Sequence, residues 1–370
     1  MNFKKYFLEV IGLKYLFFRK ISLLKLNYTT GTSIKTTFLS DKFYNNIYQM
    51  LEQEKDFIGS DSMWLDIYNK HHFNFLNYVK KDKNKLKYAL DNPSKFNLFY
   101  GFDSNCDIFR KKPRYLDKFE NTLLVIDQIL SFSEFLGIIR LNNPERFSLK
   151  NKKPDLENLI DQIEKKLNIE LKFNNVFPGE TGIKTKRGIV TTREVQAIYQ
   201  AYKIKKIIEH NNFQIKNILE IGGGLGRTAY YSYKLGIKNY TLVDILIPRI
   251  CQLNYLSRVI NEQDVLFQDE AMKFINDEKI KILSPNSLFS NNIKYDLVFN
   301  SDSFTEIDIN NQKKYSDYII KNSKFFFSIN HESNKNKVTE FFPKKNIKIY
   351  EKNLYWLRKG YLEENFLLNN

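Results

Sequence analysis

Cysteine is scarce in this chain, which has only two cysteines among 370 residues. Cys106 and Cys251 lie far apart and show no paired spacing, so the sequence indicates neither a disulfide framework nor a zinc knuckle. This usage fits a reducing compartment, and we predict a cytoplasmic location. With 42% apolar residues, a chain of this length can bury a sizeable core without cross-links.

Acidic residues are also few, with 42 Asp and Glu against 58 Lys and Arg and a formal net charge of +16. Such a charge suits a nucleic acid, an anionic membrane surface or a phosphorylated substrate. However, Lys, Asn, Ile, Phe and Tyr are all abundant together, which indicates a compositional bias toward A and T codons. No arginine-rich block or aromatic RNA-binding motif accompanies the lysines, so we expect no nucleic acid partner.

A long apolar run is missing from the first 24 residues, because Glu9, Lys14, Arg19 and Lys20 interrupt them. These charges argue against both a signal peptide and a membrane-spanning helix. The stretch is predicted to form a basic amphipathic helix. Such a helix either docks on the body of the protein or makes a peripheral contact with a membrane.

Three parts of the chain differ in pattern. Residues 1–175 are rich in aromatic side chains and mostly helical in period, which predicts a mostly helical N-terminal domain. Residues 176–212 concentrate proline and glycine before a helix and are predicted to form a hinge or lid. Residues 213–370 alternate strands with helices, which predicts an α/β domain with a mainly parallel sheet and helices on both faces.

The stretch NILEIGGGLGRTAYYSYKLGIKNYTLVDI places glycines directly behind the first strand of the third part. These glycines are Gly222, Gly223, Gly224 and Gly226. Ligands of parallel sheets bind at the carboxyl ends of the strands, so this turn is a candidate binding site. Its G-x-G-x-G spacing departs from the dinucleotide pattern G-x-G-x-x-G, and Glu220 at the strand end would repel a pyrophosphate.

S-adenosylmethionine matches this pattern better, because its ammonium and sulfonium groups are cationic. Glu220 is predicted to hold the ammonium side, directly or through water. Asp244, at the end of the second strand, is predicted to accept hydrogen bonds from both ribose hydroxyls. An acid at that position serves NAD sites as well, so NAD and a purely structural turn stay open as alternatives. Two segments, DVLFQDE and KIKILSPNSL, are both candidates for the strand on the adenine side of the cofactor. The residues that contact the adenine therefore stay open.

The chain resembles class I S-adenosylmethionine-dependent methyltransferases, and more narrowly the bacterial sugar O-methyltransferase family. The likeness lies in LEIGGGLGRTAYY at 219–231, YDLVFNSDSFTEI at 295–307 and FFFSINHE at 325–332, with a weaker echo in NPSKFNLFYGFD at 92–103. It implies a Rossmann-like fold, methyl transfer to a sugar hydroxyl and a precursor of surface polysaccharide as acceptor. One departure is Leu246, which stands where the family pattern leads us to expect proline.

Polar residues follow the fourth and fifth strands of this domain, beside the predicted methyl group. Asn300 is assigned to the cofactor side. Transfer to a hydroxyl requires removal of its proton, and His331 is our first candidate for the base, with Asp302 and Glu306 as competitors. A further option is a divalent metal, although the spacing matches no metal motif. Its ligands would be Asp302, Glu306, His331 and Glu332.

The predicted function is therefore methyl transfer from S-adenosylmethionine to a sugar hydroxyl, with the helical N-terminal domain shaping acceptor specificity. The acceptor is a free, nucleotide-linked or lipid-linked sugar, and cations of the lid segment are candidates to grip a pyrophosphate. These are Lys184, Lys186, Arg187 and Arg193. Alternatives are a methyltransferase acting on nucleic acid or protein, a non-catalytic member of the fold, and an NAD-dependent oxidoreductase.

Overall fold

The computed structural model describes residues 28–31, 39–53, 62–80, 82–106, 115–141, 155–210 and 215–369. The predicted amphipathic helix at the N-terminus lies outside these residues. Among the residues that are described, no helix combines the length and the apolar character needed to cross a membrane.

The N-terminal part is mostly helical. Its helices are α1 (Asp41–Gln53), α2 (Met63–Ile67), α3 (Phe73–Val79), α4 (Lys83–Asp91), α5 (Tyr115–Phe135) and α6 (Leu156–Leu167), and a π-helical turn, Tyr68–His72, joins α2 to α3. Ser62 and Asp82 cap α2 and α4 by accepting hydrogen bonds from backbone N–H groups of the first turn. Helix α6 is amphipathic and buries its apolar face: Leu156, Leu159, Ile160, Ile163 and Leu167.

A small antiparallel sheet follows, formed by β1 (Tyr28–Thr30), β2 (Thr181–Thr185) and β3 (Gly188–Val190) in that order. The long helix α7 (Thr192–His210) comes next and packs against α5. The segment predicted as a hinge or lid therefore contains a β-hairpin and a 19-residue helix whose first half is buried.

Eight strands form the central sheet in the order β10-β11-β9-β8-β4-β5-β7-β6. They are β4 (Ile218–Ile221), β5 (Tyr240–Val243), β6 (Val265–Phe267), β7 (Ile280–Leu283), β8 (Tyr295–Ser301), β9 (Ser323–His331), β10 (Ile347–Leu354) and β11 (Tyr361–Leu368). In this order, each strand from β9 to β6 runs parallel to the next one. Strand β11 runs antiparallel to both of its neighbours, β10 and β9. The predicted mainly parallel, Rossmann-like sheet is confirmed. The chain leaves β4 toward β5 on one side and returns to β8 on the other, which makes the β4–β8 boundary the topological switch point.

Helices cover both faces of this sheet: α8 (Arg227–Lys234), α9 (Leu246–Val259), α10 (Gln268–Lys273), α11 (Pro285–Ser290) and α12 (Ile309–Asn322). Successive residues of β4 pack into two different apolar clusters, Ile218 into one and Leu219 into the other. The cluster of Ile218 also contains Leu86 of α4 and Ile198 of α7. The N-terminal helices thus share one core with this face of the sheet.

The strand beside β5 is β7, from the segment KIKILSPNSL. Among the described strands, β6, from DVLFQDE, pairs only with β7 and forms the edge of the sheet. Of the two competing segments, KIKILSPNSL therefore supplies the neighbour of the second strand.

Candidate active site

A cavity of about 320 Å³ opens at the carboxyl ends of β4, β5 and β8. Small-molecule sites commonly enclose about 300–1,000 Å³. Trp64 and Phe102 of the N-terminal part and Arg193 of α7 contribute to its walls, and Arg358 enters from the turn between β10 and β11. The cavity is therefore bounded by widely separated parts of the chain and lies at the switch point of the sheet.

The glycine turn between β4 and α8 forms one wall of this cavity. Three of its residues take up the left-handed backbone region that L side chains avoid: Gly222 (φ 69°), Gly224 (φ 57°) and Gly226 (φ 85°). A Cβ atom at Gly222 would collide with Ser303, and one at Gly223 would collide with Cδ2 of Leu242 and lie 3.2 Å from Cδ of Glu220. The two glycines therefore let the turn pack directly against Ser303 and Leu242, beside the Glu220 carboxylate.

Glu220 lines the cavity and is 3% exposed. Within the described chain its carboxylate has one hydrogen-bond partner, the Tyr240 hydroxyl, which donates to Oε2 at 2.9 Å. Burial raises the pKa of Glu220 to about 8, and the charge of Asp244 adds to this rise while the Tyr240 hydrogen bond opposes it. A buried carboxyl group without a basic partner is stabilised as an anion by a cationic ligand.

Asp244 follows β5 and lines the same cavity. Its Oδ1 accepts from the backbone N–H of Ile245 at 2.9 Å, and its Oδ2 accepts from Gln252 Nε2 at 2.8 Å. Burial raises the pKa of Asp244 to about 7, although these hydrogen bonds favour the charged form. No Lys, Arg or His of the described residues forms an ion pair with it. This half of the cavity therefore presents two acids that lack a cation.

Asn300, predicted on the cofactor side, is fully buried behind the cavity wall. Its Nδ2 donates to the carbonyl of Ile221 at 2.7 Å, and its Oδ1 accepts from the N–H of Phe304 at 3.1 Å. Asn330 also donates to Oδ1, at 2.8 Å. The Asn300 side chain thus joins the ends of β4, β8 and β9, and it supports the wall without being part of it.

Asp302 follows β8 and binds two arginines from distant elements. Arg193 Nη1 donates to Oδ2 at 2.9 Å, and Arg358 Nη1 donates to Oδ2 at 2.8 Å and to Oδ1 at 3.1 Å. Burial disfavours the charge of Asp302, but the two guanidinium groups outweigh it and lower the pKa of this carboxyl. Its φ of 66° is a strained conformation for a residue with a side chain. The arrangement holds Asp302 as an anion between α7 and the β10–β11 turn.

Glu306 lines the same half of the cavity, at the end of the 3₁₀ turn Phe304–Glu306. Its side chain makes no hydrogen bond or ion pair with any described residue. Burial raises the pKa of Glu306 to about 7 and the charge of Asp302 adds to the rise, while Arg193 and Arg358 oppose it. A carboxyl group with unengaged oxygens and a pKa near neutrality is suited to general base catalysis at neutral pH.

His331 ends β9 but is not part of the cavity wall. Its Nδ1 lies 2.5 Å from Ser333 Oγ, and its ring packs edge-on against Tyr361 with the ring centroids 5.2 Å apart. Glu332 forms an ion pair with Lys352 at 2.7 Å. Across the described ranges, no three His, Cys, Asp or Glu side chains are grouped as metal ligands, so the four candidate ligands are not gathered.

Arg227, the first residue of α8, fixes the parts of the chain around the cavity. It is 7% exposed and pairs with Asp103 of the N-terminal part, with Glu180 before β2 at 2.7 Å and with Glu194 of α7 at 2.8 Å. The sequence offered one sign of this contact, since the echo NPSKFNLFYGFD contains both Phe102 and Asp103. Nothing in the sequence indicated Arg358.

Comparisons with known proteins match about half of the chain to solved methyltransferase structures. No protein-family model and no curated protein matches the chain. A magnesium protoporphyrin IX methyltransferase from Synechocystis PCC 6803, with bound SAM, is 9% identical, with a TM-score of 0.33, over 57% of this chain and 91% of its own. A glycopeptide N-methyltransferase complexed with S-adenosyl-L-homocysteine is 9% identical, with a TM-score of 0.35, over 46% of this chain and 90% of its own.

The methyltransferase domain of a bacterial Hen1 protein is 11% identical, with a TM-score of 0.28, over 46% of this chain and all of its own.

Proposed function

We propose that this protein is an S-adenosylmethionine-dependent O-methyltransferase that acts on a sugar hydroxyl in the biosynthesis of a surface polysaccharide or glycoconjugate. One observation carries the proposal. A single cavity presents two acids without a cationic partner at one end and the unengaged Glu306 carboxyl, among polar side chains, at the other.

The residues at the first end fit the cofactor. Glu220 would hold the ammonium side and Asp244 the ribose, while the backbone of Gly223 and Gly224 allows close approach. Glu220 at the end of β4 disfavours the pyrophosphate of NAD, which would meet a like charge. When bound, S-adenosylmethionine supplies an electrophilic methyl group.

Glu306 acts as the base in this proposal. A sugar hydroxyl is a very weak acid, so its proton must pass to the protein as the oxygen takes the methyl group. Glu306 has free oxygens in the cavity wall, whereas Asp302 is ionised and engaged by two arginines. His331, our first candidate from the sequence, lies outside the wall and contacts Ser333.

The lining of the second end supports a polyhydroxylated acceptor. It is rich in side chains that exchange hydrogen bonds with hydroxyl groups: Arg193, Gln196, Gln200, Ser301, Asp302 and Tyr361. Trp64 and Phe102 of the N-terminal part add aromatic faces, with ring centroids 6.4 Å apart. We propose that this helical part shapes acceptor specificity, because it contributes Trp64 and Phe102 to the cavity wall.

The Glu306→Gln variant tests the assignment of the base. Wild-type protein is incubated with methyl-labelled S-adenosylmethionine and a panel of neutral sugars, uronic acids and nucleoside-diphosphate sugars. With an accepted sugar, we expect the substitution to lower kcat by about 100- to 10,000-fold, because general base catalysis contributes that much. Binding of S-adenosylhomocysteine should stay unchanged.

Two further variants serve as comparisons. Glu340→Gln removes an exposed acid from the 3₁₀ turn Val338–Phe341 and should leave kcat unchanged. If His331→Gln abolished turnover while Glu306→Gln did not, the base would be His331. The sugar acceptor would be contradicted if the labelled methyl group entered none of the sugars but did enter RNA or protein.

A further inference from the structure

Two guanidinium groups share one carboxylate at the acceptor end of the cavity. Arg193 enters from α7 and Arg358 from the β10–β11 turn, and both form ion pairs with Asp302. Both arginines line the cavity, and their side chains keep 39% and 27% of their surface exposed. Glu306 lies in the same wall but makes no ion pair with either of them. The two arginines thus carry one more charge than the single carboxylate with which they are paired.

The arginines also hold unused hydrogen-bond donors. A guanidinium group carries five N–H donors. Among the described residues, Arg193 donates only from Nη1, to Asp302. Arg358 donates from Nη1 to Asp302 and from Nη2 to the Tyr361 hydroxyl at 2.5 Å, and its guanidinium group stacks on the Tyr361 ring at 3.7 Å. Both side chains are thus held in place, and each keeps N–H donors that have no partner among the described residues.

We propose that the acceptor carries an oxyanion, either a carboxylate or a phosphate, and that Arg193 and Arg358 bind it. This inference rests on the proposed function, and it names the chemical class of the acceptor. Planar guanidinium groups recognise carboxylate and phosphate oxygens through paired, charge-assisted hydrogen bonds. A neutral sugar would leave the surplus charge and the free donors without partners.

The other cations of the lid segment do not form this site. Arg187 is engaged with Asp161 at 2.7 Å and with Glu164 at 3.0 Å. Lys184 and Lys186 are exposed on the β2–β3 hairpin and do not line the cavity. Of the four cations that the sequence singled out, Arg193 alone reaches the cavity, and it does so beside Arg358.

Anion binding here also acts on Glu306. The charges of Arg193 and Arg358 lower the pKa of this carboxyl, while burial and Asp302 raise it. An oxyanion bound to the two arginines offsets their charge, so the pKa of Glu306 rises. The ionised Glu306 carboxylate is then a stronger base, while a smaller fraction of this carboxyl is ionised at neutral pH.

Calorimetry with the full chain, saturated with S-adenosylhomocysteine, tests this inference. The probes are glucuronate, inorganic pyrophosphate and neutral glucose. We expect at least one of the two anions to bind and glucose to bind about tenfold more weakly or not at all. Arg193→Gln and Arg358→Gln should each weaken anion binding by about ten- to a hundredfold, as for a lost hydrogen bond to a charged group. Lys184→Gln, which removes an exposed cation, should have no effect.

The outcomes separate the two proposals. If S-adenosylhomocysteine does not bind, the proposed function fails. If it binds but neither anion does, or if both arginine variants bind anions as the wild type does, the oxyanion inference is overturned. Binding of glucuronate alone assigns a sugar acid, and binding of pyrophosphate alone assigns a phosphorylated acceptor. Should Arg358→Gln fail to fold, Arg358→Lys can replace it. Lysine keeps the charge but lacks the planar pair of N–H donors, so this variant should still bind the anions more weakly than the wild type.

Discussion

The buried acids of this protein fall into two kinds, distinguished by their partners. Glu194 is fully buried and is paired with Arg227 at 2.8 Å. Glu220 is almost as buried, yet its one hydrogen-bond partner among the described residues is the Tyr240 hydroxyl. An isolated buried carboxylate is costly unless it is neutralised, and its raised pKa expresses that cost. Glu220 therefore indicates a cationic ligand in a way that Glu194 does not.

The affinity for S-adenosylmethionine should depend on pH through this residue. Without ligand, the pKa values of Glu220 and Asp244 are raised to about 8 and about 7, so both acids are largely protonated in mildly acidic solution. A cationic ligand favours their charged forms, so binding releases protons. Affinity should therefore rise with pH between about 5.5 and 7, by at most about tenfold per pH unit for each proton released.

Calorimetry in buffers of different ionisation enthalpy measures that proton release. Glu220→Gln should reduce both the release and the slope of affinity against pH. The window stays below pH 7.5 because an α-amino group begins to lose its proton near pH 8. Affinity that is flat, or that falls as pH rises, would show that neither carboxyl group meets the cation.

The glycine turn acts as one element, since its backbone fills the space between β4, β8 and α8. The N–H of Gly222 donates to the carbonyl of Val243 at 2.9 Å, and that of Gly226 donates to Gly223 at 2.9 Å. A Cβ atom at Gly222 would meet Ser303, which is itself hydrogen-bonded to the carbonyl of Ile221 at 3.0 Å. A side chain at position 222 therefore requires the turn or Ser303 to move.

Gly222→Ala should therefore destabilise the protein more than backbone strain alone explains. Gly236 is a matched control, because its φ is 91° and nothing lies within 4 Å of an added Cβ atom. We expect Gly236→Ala to cost about 1–2 kcal/mol, the penalty for a left-handed L residue. Gly222→Ala should cost about 1–3 kcal/mol more, from the overpacking against Ser303.

Urea unfolding of the two variants measures the difference in free energy of unfolding. Gly222→Ala should also weaken binding of S-adenosylhomocysteine, whereas Gly236→Ala should not. Equal losses of stability in both variants would mean that the turn yields freely at Gly222.

At the scale of the whole molecule, the cavity exists only where the N-terminal part meets the sheet. Arg227 joins Asp103, Glu180 and Glu194 in one buried cluster, and Arg258 of α9 pairs with Asp91 of α4 at 2.6 Å. Breaking a buried ion pair by removing one partner costs several kcal/mol. These pairs therefore fix the N-terminal helices to the same edge of the sheet that presents the glycine turn.

The sequence predicts the features that depend on nearby residues. The alternation of strands and helices predicts the parallel sheet, and strand-end positions predict that Glu220, Asp244 and Glu306 share one edge. Arg358 could not be predicted, because only the antiparallel return of β11 beside β9 brings the β10–β11 turn to that edge. The same return explains the position of His331, since its strand partner Tyr361 lines the cavity instead.

Calorimetric titration with S-adenosylhomocysteine and, separately, NAD tests the central claim most directly. Wild-type protein should bind S-adenosylhomocysteine with micromolar affinity, about 8 kcal/mol, and should not bind NAD. Asp244→Ala should abolish that binding, and Asp317→Ala, which removes an exposed acid from α12, should leave it unchanged. Binding of NAD alone, or binding of S-adenosylhomocysteine that survives Asp244→Ala undiminished, would contradict the account.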